Sequence, residues 1–266
     1  MVNSDPTSTW VAKEYPKSFM DSIQFNDMTG DISSAPPPSD PYIEPVSVPE
    51  NFDGRVKWGK KLGPVRAQAS CGGCWAITSA EMLGARLAIK GCLSEPLSPQ
   101  YLISCNSYCY GCTGCTGERT LQWLVEKGTV TEACVPYVSG NGKVPACPSR
   151  CQNGSALVRY RIRAGQVHTR DTVQSELYNN GPVYFRFSVY TDLMNYGSGI
   201  YTYKYGTLVS GHAVLLVGWG VENGVKYWIL QNSWGPTWGE QGFFRMRRGT
   251  NECNCENAFY SGIVGC

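Results

Sequence analysis

The spacing of hydrophobic residues predicts helices in the first two thirds of the chain. Apolar side chains recur about every 3.6 positions in Cys74–Ile89, Glu118–Lys127 and Thr172–Asn180, and a glycine follows each segment closely. This spacing places apolar residues on one face of a helix, and glycine commonly ends a helix. We therefore predict three helices, of which the first is the longest.

The remainder of the chain is rich in Tyr, Phe and Val between glycine turns, a pattern typical of β-strands. The predicted strands are Val183–Val189, His212–Trp219, Tyr227–Gln231 and Gly242–Arg247. Helices followed by strands indicate an α+β fold. We expect a helical N-terminal lobe and a C-terminal lobe built as an antiparallel sheet or barrel.

Residues 1–47 differ in composition from the rest of the chain. They are rich in Pro, Ser and Asp and contain no cysteine, which is typical of a linker. The folded body is expected to cover residues 48–266. Because the first segment also carries Trp10, Phe19 and Phe25, we expect it to dock on that body.

The overall composition favours no charged partner. The 266 residues carry a formal net charge of +2, so nothing indicates nucleic acid or a membrane surface. No apolar run approaches the roughly 20 residues of a membrane helix. The thirteen cysteines indicate an oxidising compartment. Their odd number allows six pairs and leaves one thiol that is either unpaired by accident or reactive.

The segment Gln68–Trp75 places a cysteine at the start of the first predicted helix. A thiol at a helix N-terminus faces unpaired backbone N–H groups and the positive end of the helix dipole, which favour the thiolate. Cys74 is therefore a candidate nucleophile.

Two other interpretations of the Cys71–Cys74 pair remain open at this point. The pair could form a redox disulfide, although no strand–helix–strand unit surrounds it. It could also be half of a zinc site completed by Cys109, Cys112 and Cys115, which have the same type of spacing.

A catalytic thiolate needs a base, and the chain has only two histidines. His168 lies in a polar stretch and is expected at the surface. His212 enters a strongly apolar predicted strand, and Asn232 follows the next apolar strand. Neighbouring strands would bring the Asn232 carbonyl to the imidazole and fix its tautomer, as the third member of a catalytic triad does.

These motifs resemble those of the papain family of cysteine proteases, most closely its cathepsin B branch. The family signature C-G-[SA]-C-[WY], with His and Asn farther along the chain, is matched except that Gly73 replaces Ser or Ala. The resemblance extends from about Pro49 to Gly262. It implies a papain-like fold, with a helical left lobe, an antiparallel β-barrel as right lobe, and an active-site cleft between them.

The resemblance also implies roles for individual residues. Cys74 would attack the scissile carbonyl carbon, His212 would transfer the proton to the leaving amine, and Asn232 would orient His212. Gln68 corresponds to the side-chain donor of the oxyanion hole. Trp234 corresponds to the indole that shields the His–Asn pair from water.

Three disulfides follow from the same resemblance, namely Cys71–Cys112, Cys105–Cys147 and Cys134–Cys151. It assigns no partners to Cys92, Cys109, Cys115, Cys253, Cys255 and Cys266.

One departure from cathepsin B concerns the type of cleavage. Its occluding loop carries two adjacent histidines that bind a substrate C-terminus and confer dipeptide-removing activity. Between Cys134 and Cys147 this chain has a short segment without histidine. We therefore expect an endopeptidase.

Further departures concern the substrate-binding residues. Ala258 stands where cathepsin B has an acidic residue at the base of the S2 pocket, which favours an apolar P2 residue. Arg186 corresponds to the wall of the same pocket and would admit an anion. Gly114 and Cys115 correspond to the glycine pair that binds the P2 backbone, and Gly211 adjoins the catalytic histidine.

Residues 1–47 resemble a cathepsin B propeptide because Ser8–Ala12 matches its Trp-centred motif. The resemblance implies a zymogen whose own propeptide inhibits it until cleavage near Val46–Pro49. It also implies a monomer without cofactor or metal that acts on proteins or peptides in a lysosome-like or vacuolar compartment or after secretion. Asn153 begins an N-glycosylation sequon. The alternative function is a catalytically inactive papain-fold protein kept for binding.

Overall fold

The computed structural model describes residues 2–23 and 47–266. Phe25, the proline run and the expected cleavage region before Ser47 lie outside the described residues. The α-helices in the described part are α1 (Lys17–Ser22), α2 (Gly54–Trp58), α3 (Cys74–Lys90), α4 (Pro99–Cys105), α5 (Gly117–Glu126) and α6 (Val173–Asn180). The three predicted helices are confirmed as α3, α5 and α6.

The strands of the described part form one connected sheet. They are β1 (Trp10–Ala12), β2 (Phe52–Asp53), β3 (Ala164–His168), β4 (Val183–Tyr190), β5 (Tyr196–Tyr201), β6 (Leu208–Glu222), β7 (Val225–Gln231), β8 (Phe243–Arg247) and β9 (Phe259–Ile263). Their order is β1-β5-β8-β7-β6-β4-β9-β3, and β2 pairs with β6. The α+β class is therefore confirmed.

The expected antiparallel barrel is wrong in two respects. The end strands β1 and β3 each pair with a single neighbour, so the sheet is open, and β5 runs parallel to β8. Strands β1, β2, β3, β5 and β9 were not predicted. Strands β1 and β2 have only three and two residues. The other three contain glycine and polar residues, for example Tyr196–Tyr201, and so lack the alternation that identifies a half-buried strand.

Helix α3 lies between the two lobes, and almost every side of it is covered. Apolar residues surround it rather than lying on one face, as expected for a helix inside a core. It ends at Gly91, whose φ of 79° is readily adopted by glycine. Near this end, Arg86 forms a buried ion pair with Glu176 of α6 at 2.6 Å. Arg86 also donates to the Pro182 and Gly262 carbonyls.

The N-terminal segment docks on the outer edge of the sheet, as expected. Strand β1 pairs with β5 in antiparallel orientation. The Trp10 side chain is buried, and its indole N–H donates to the Thr202 carbonyl at 2.9 Å. The Tyr15 hydroxyl donates to the Tyr196 carbonyl. Asp5 and Lys204 form an ion pair at 3.0 Å.

The disulfides include the three pairs that the resemblance implies, and two more. The structure joins Cys71–Cys112, Cys105–Cys147, Cys134–Cys151, Cys92–Cys266 and Cys109–Cys115. Cys74, Cys253 and Cys255 are free, so the expectation of six pairs is not met. Cys109, Cys112 and Cys115 are disulfide-bonded and cannot be zinc ligands. Within residues 2–23 and 47–266, no cluster of His, Cys, Asp or Glu could hold a metal ion.

Breaking the buried ion pair should destabilise the fold. We expect Glu176→Gln to lower the free energy of unfolding by about 3–5 kcal/mol, because Arg86 would remain buried without its counter-charge. The measurement is urea unfolding followed by tryptophan fluorescence. The control is Asp21→Asn at the exposed Lys17–Asp21 pair, which should cost less than about 0.5 kcal/mol. Equal losses in the two variants would contradict the prediction.

Candidate active site

Cys74 is the first residue of α3 and lies at the boundary between the lobes. Its side chain is only 6% exposed. The backbone N–H groups of Cys74 and Trp75, at the start of the helix, and of Ala213 in β6 act on the thiol and lower its pKa. Groups from both lobes therefore surround the sulfur.

The helix end favours the thiolate, but burial opposes this effect. Burial is the larger effect and raises the pKa of Cys74 to about 11, while the three backbone N–H groups lower it. Burial also lowers the pKa of His212 to about 4. Burial thus favours the uncharged form of both groups.

His212 lies in β6 and its orientation is fixed by Asn232. The imidazole Nε2 donates to the Asn232 Oδ1 at 2.8 Å, and the Ser233 backbone N–H donates to the same oxygen at 2.8 Å. The Ser233 backbone N–H can only donate, so the Asn232 atom that it contacts is the amide oxygen. The imidazole Nε2, which contacts the same oxygen, must then be a donor as well. With Nε2 carrying the hydrogen, Nδ1 is the basic nitrogen of the neutral ring.

Aromatic rings enclose this pair. Trp234 stacks on the His212 imidazole with ring centroids 5.0 Å apart, and Trp238 packs edge-on against Trp234 at 4.9 Å. Phe187 contacts the imidazole in T-shaped geometry at 5.8 Å. His212 and Asn232 are consequently buried, which keeps water from competing for their hydrogen bond.

Gln68 is connected directly to the residue after Asn232. The Ser233 hydroxyl donates to the Gln68 Oε1 at 2.7 Å, and the Gln68 backbone N–H donates to the Ser233 carbonyl at 2.8 Å. The Gln68 Nε2 donates one hydrogen to the Cys71 carbonyl at 3.0 Å. Since an amide nitrogen has two hydrogens, this bond uses only one of them.

A cavity next to Cys74 brings together several of the predicted substrate-binding residues. It is lined by Gly72, Cys74, Trp75, Gly114, Cys115, Tyr184, Arg186, Gly211, His212 and Ala213. Arg186 lies directly across from Ala213 in the β4–β6 pairing, so both are on the cleft face. Among the described residues that line this cavity, Arg186 is the one that carries a charge.

Ala258 is not among the described residues that line this cavity. It is buried immediately before β9. Strand β9 pairs Tyr260 with Tyr184 and Phe259 with Phe185, so the next position in this register places Ala258 opposite Arg186. The two residues therefore lie on neighbouring strands.

His168 was expected at the surface, and this prediction is wrong. It is 1% exposed at the end of β3, and its Nε2 is 2.7 Å from the Ser261 hydroxyl oxygen. Ser261 also donates to Glu176, which extends the polar network around Arg86. The polar residues near His168 in sequence are largely exposed, but pairing with β9 buries the imidazole.

Sequence reasoning missed Tyr137. Its hydroxyl donates to the Gln68 carbonyl at 2.7 Å, so it contacts the backbone of the predicted oxyanion donor. Tyr137 belongs to the short segment between Cys134 and Cys147, and no sequence pattern connects that segment with Gln68. Asn153, by contrast, is exposed in a turn after Cys151, where its side chain hydrogen-bonds Ser155.

Comparison with known proteins agrees with this geometry. The family described as "Papain family cysteine protease" matches residues 48–263. The chain belongs to this family.

Relatives in this family are cathepsin B-like. A "Gut-specific cysteine proteinase" of Caenorhabditis elegans is 40% identical over 243 residues, covering 82% of this chain and 74% of that protein. "Cathepsin B-like CP2" of Giardia intestinalis is 38% identical over 233 residues, covering 85% and 78%. Among solved structures, "proCathepsin B S9 from Trypanosoma congolense" has a TM-score of 0.86 at 32% identity and covers 97% of this chain and 94% of that one. The chain is thus a cathepsin B-like cysteine protease.

The pKa values generate a prediction for the intact chain. Because Cys74 has a pKa of about 11, its alkylation by iodoacetamide should be slow at acid pH and rise about tenfold per pH unit between about pH 6 and 9. Peptide mapping by mass spectrometry gives the rate at Cys74 itself. His212→Ala should show the same slope, since the imidazole is uncharged in this range. A rate that is already constant between pH 5 and 8 would instead indicate a preformed ion pair.

Proposed function

We propose that this chain is the zymogen of a cysteine endopeptidase that hydrolyses peptide bonds through Cys74, His212 and Asn232. The observation that carries the proposal is the meeting of a free thiol at the start of α3 with an Asn-oriented imidazole in one cavity. The other two free cysteines, Cys253 and Cys255, do not line that cavity.

The chemistry follows from the positions of these groups. The His212 Nδ1 takes the thiol proton, and the Cys74 thiolate attacks the scissile carbonyl carbon. The Cys74 backbone N–H and the Gln68 amide hold the tetrahedral oxyanion. The imidazolium then donates its proton to the leaving amine, which leaves a thioester between Cys74 and the acyl part of the substrate. A water molecule, deprotonated by the same imidazole, hydrolyses that thioester.

Residues 1–47 act as an inhibitory propeptide in this proposal. Support comes from the docking of Trp10 on the sheet edge, and from the proenzyme of Trypanosoma congolense that shares the fold over almost the whole chain. The described part of the segment ends at Ile23 and resumes at Ser47. The five disulfides support maturation in an oxidising compartment, lysosome-like or vacuolar, or outside the cell.

Endopeptidase activity is supported by the segment between Cys134 and Cys147. It is short, and its Gly140 carbonyl accepts a hydrogen bond from the Ser70 N–H. It contains no histidine to bind a substrate carboxylate. A longer peptide chain can therefore continue past the scissile bond.

The substrate preference proposed at P2 is apolar. Tyr184 adds a ring to the cavity next to Cys74, and Ala258, which lies close to Arg186 in the register of β4 and β9, is small and apolar. No acidic residue lines that cavity within the described residues, so a basic P2 side chain finds no counter-charge there. Arg186 supplies a cationic donor on the same wall.

The nucleophile can be identified by covalent labelling. After removal of residues 1–47, we expect the epoxide inhibitor E-64 to label one equivalent of thiol, and Cys74→Ala to abolish labelling. Intact-mass spectrometry checks the stoichiometry. The matched control is Cys253→Ala, which removes another free, buried cysteine and should leave labelling unchanged. The full-length chain should react far more slowly, and a folded, processed protein that is not labelled would favour the inactive binding protein.

The absence of histidine from the Cys134–Cys147 segment predicts the response to a blocked substrate C-terminus. We expect internally quenched peptides with Leu at P2 to be cleaved with kcat/KM values within about twofold, whether they end in a carboxylate or an amide, because no side chain binds the terminus. Fluorescence assays of matched pairs measure this.

The same peptides test the P2 proposal when Leu is replaced by Arg, which should lower kcat/KM.

If the peptide that ends in an amide were the poorer substrate in every matched pair, the enzyme would be a carboxypeptidase.

A further inference from the structure

The segment between Cys134 and Cys147, which we call the Tyr137 loop (residues 135–146), is held firmly on the left lobe. Disulfides fix both of its flanks, through Cys134–Cys151 and Cys105–Cys147. Within it, the Gln100 side-chain oxygen accepts hydrogen bonds from the backbone N–H groups of residues 138 and 139 at 2.8 and 3.0 Å. The loop is therefore a rigid support.

This support holds the chain on both sides of Ala69. The Tyr137 hydroxyl donates to the Gln68 carbonyl at 2.7 Å, and the Ser70 N–H donates to the Gly140 carbonyl at 3.0 Å. The bonded groups belong to the two peptide units that flank Ala69. The orientations of both units are consequently set by the Tyr137 loop.

Ala69 needs such support because its backbone is strained. Its φ is 51°, in the left-handed region that residues with a Cβ rarely adopt. Strained conformations of this kind persist when the surroundings hold them, and they concentrate at functional sites. Ala69 directly follows Gln68, so relaxation of this strain would rotate the Gln68 peptide unit.

We propose that Tyr137 is a positioning residue for the oxyanion hole, acting on Gln68 through its carbonyl and through the left-handed conformation of Ala69. This proposal rests on the function proposed above, in which the Gln68 amide binds the tetrahedral oxyanion. It gives the short loop a role in the chemical step.

The geometry carries the effect from the loop to the reacting atoms. Ser233 holds the Gln68 backbone N–H and side-chain oxygen from the right lobe, and Tyr137 holds the Gln68 carbonyl from the left. If one of these hydrogen bonds is removed, the direction of the Gln68 Cα–Cβ bond is less well defined. The position of the Gln68 Nε2 is then less well defined as well. Burial raises the pKa of Tyr137, and so does the negative charge of Cys74 when it is a thiolate, so the Tyr137 hydroxyl remains protonated and a donor.

The first test is Tyr137→Phe, which deletes the hydroxyl and keeps the ring. We expect kcat to fall about tenfold with KM unchanged, because the donor is misplaced only for the tetrahedral state. A peptide aldehyde probes that state, since Sγ adds to its carbon and its oxygen enters the oxyanion hole. Its Ki should rise by the same factor. Rates are normalised to active sites titrated with E-64.

The control is Tyr203→Phe. The Tyr203 hydroxyl also donates to a backbone carbonyl, that of Gly206 at 2.8 Å, but on an exposed part of the surface. This variant should retain the wild-type kcat and aldehyde Ki. A general effect of losing a tyrosine hydroxyl would change both variants equally and would overturn the proposal.

Two further variants separate positioning from a loss of stability. Gln68→Ala should lower kcat about 100-fold, and adding Tyr137→Phe should cause no further loss, since the group being positioned is gone. Ala69→Gly removes the steric strain, because glycine adopts positive φ freely. In the Tyr137→Phe background it should restore most of the lost kcat, because no strain is left for the missing hydroxyl to hold.

The outcomes distinguish this proposal from the proposed function. An active wild type with unchanged kcat and aldehyde Ki in Tyr137→Phe overturns the positioning role alone. Additive losses in Gln68→Ala with Tyr137→Phe, or no rescue by Ala69→Gly, overturn it as well. A wild type that neither hydrolyses peptides nor reacts with E-64 overturns the proposed function instead.

Discussion

The active site depends on keeping the start of α3 aligned with β6 across the boundary between the lobes. The Cys74 thiol belongs to one element and the His212 imidazole to the other, so neither lobe holds both groups. Hydrogen bonds between Gln68 and Ser233 join the lobes at the start of α3. The Arg86–Glu176 ion pair joins them near its end. Because the helix is fixed at both ends, the position of Cys74 relative to His212 is fixed as well.

Burial and charge act in opposite directions at this boundary. Enclosure by Trp234 and Phe187 protects the hydrogen bond between His212 and Asn232, but the same burial disfavours both members of an ion pair. The three backbone N–H groups at Cys74 offset part of that cost. Reactivity is therefore a property of the whole arrangement of donors, and the helix terminus supplies only part of it.

The sequence predicts those parts of the molecule that depend on local patterns. Helix α3 was predicted to within one residue at its end because Gly91 follows a clear apolar period. The positions of His168 and Tyr137 were not predictable, since each depends on a hydrogen bond to a residue far along the chain. Cys92–Cys266, which joins residues 174 positions apart, is a further case. The open sheet was missed because glycine-rich β5 carries little strand signal.

Strand β5 pairs with the N-terminal segment, and its edge would be exposed if that segment were removed. A Cβ at Gly199 would lie 2.5 Å from the Thr9 carbonyl oxygen, so the close approach of β1 requires glycine there. Removal of residues 1–47 would turn β5 into an edge strand, and an exposed edge can pair with other chains and aggregate. The short β5 also carries Gly197, so it offers a second strand little side-chain surface to pack against. The glycines that admit β1 would thus also make the newly exposed edge a poor template for aggregation.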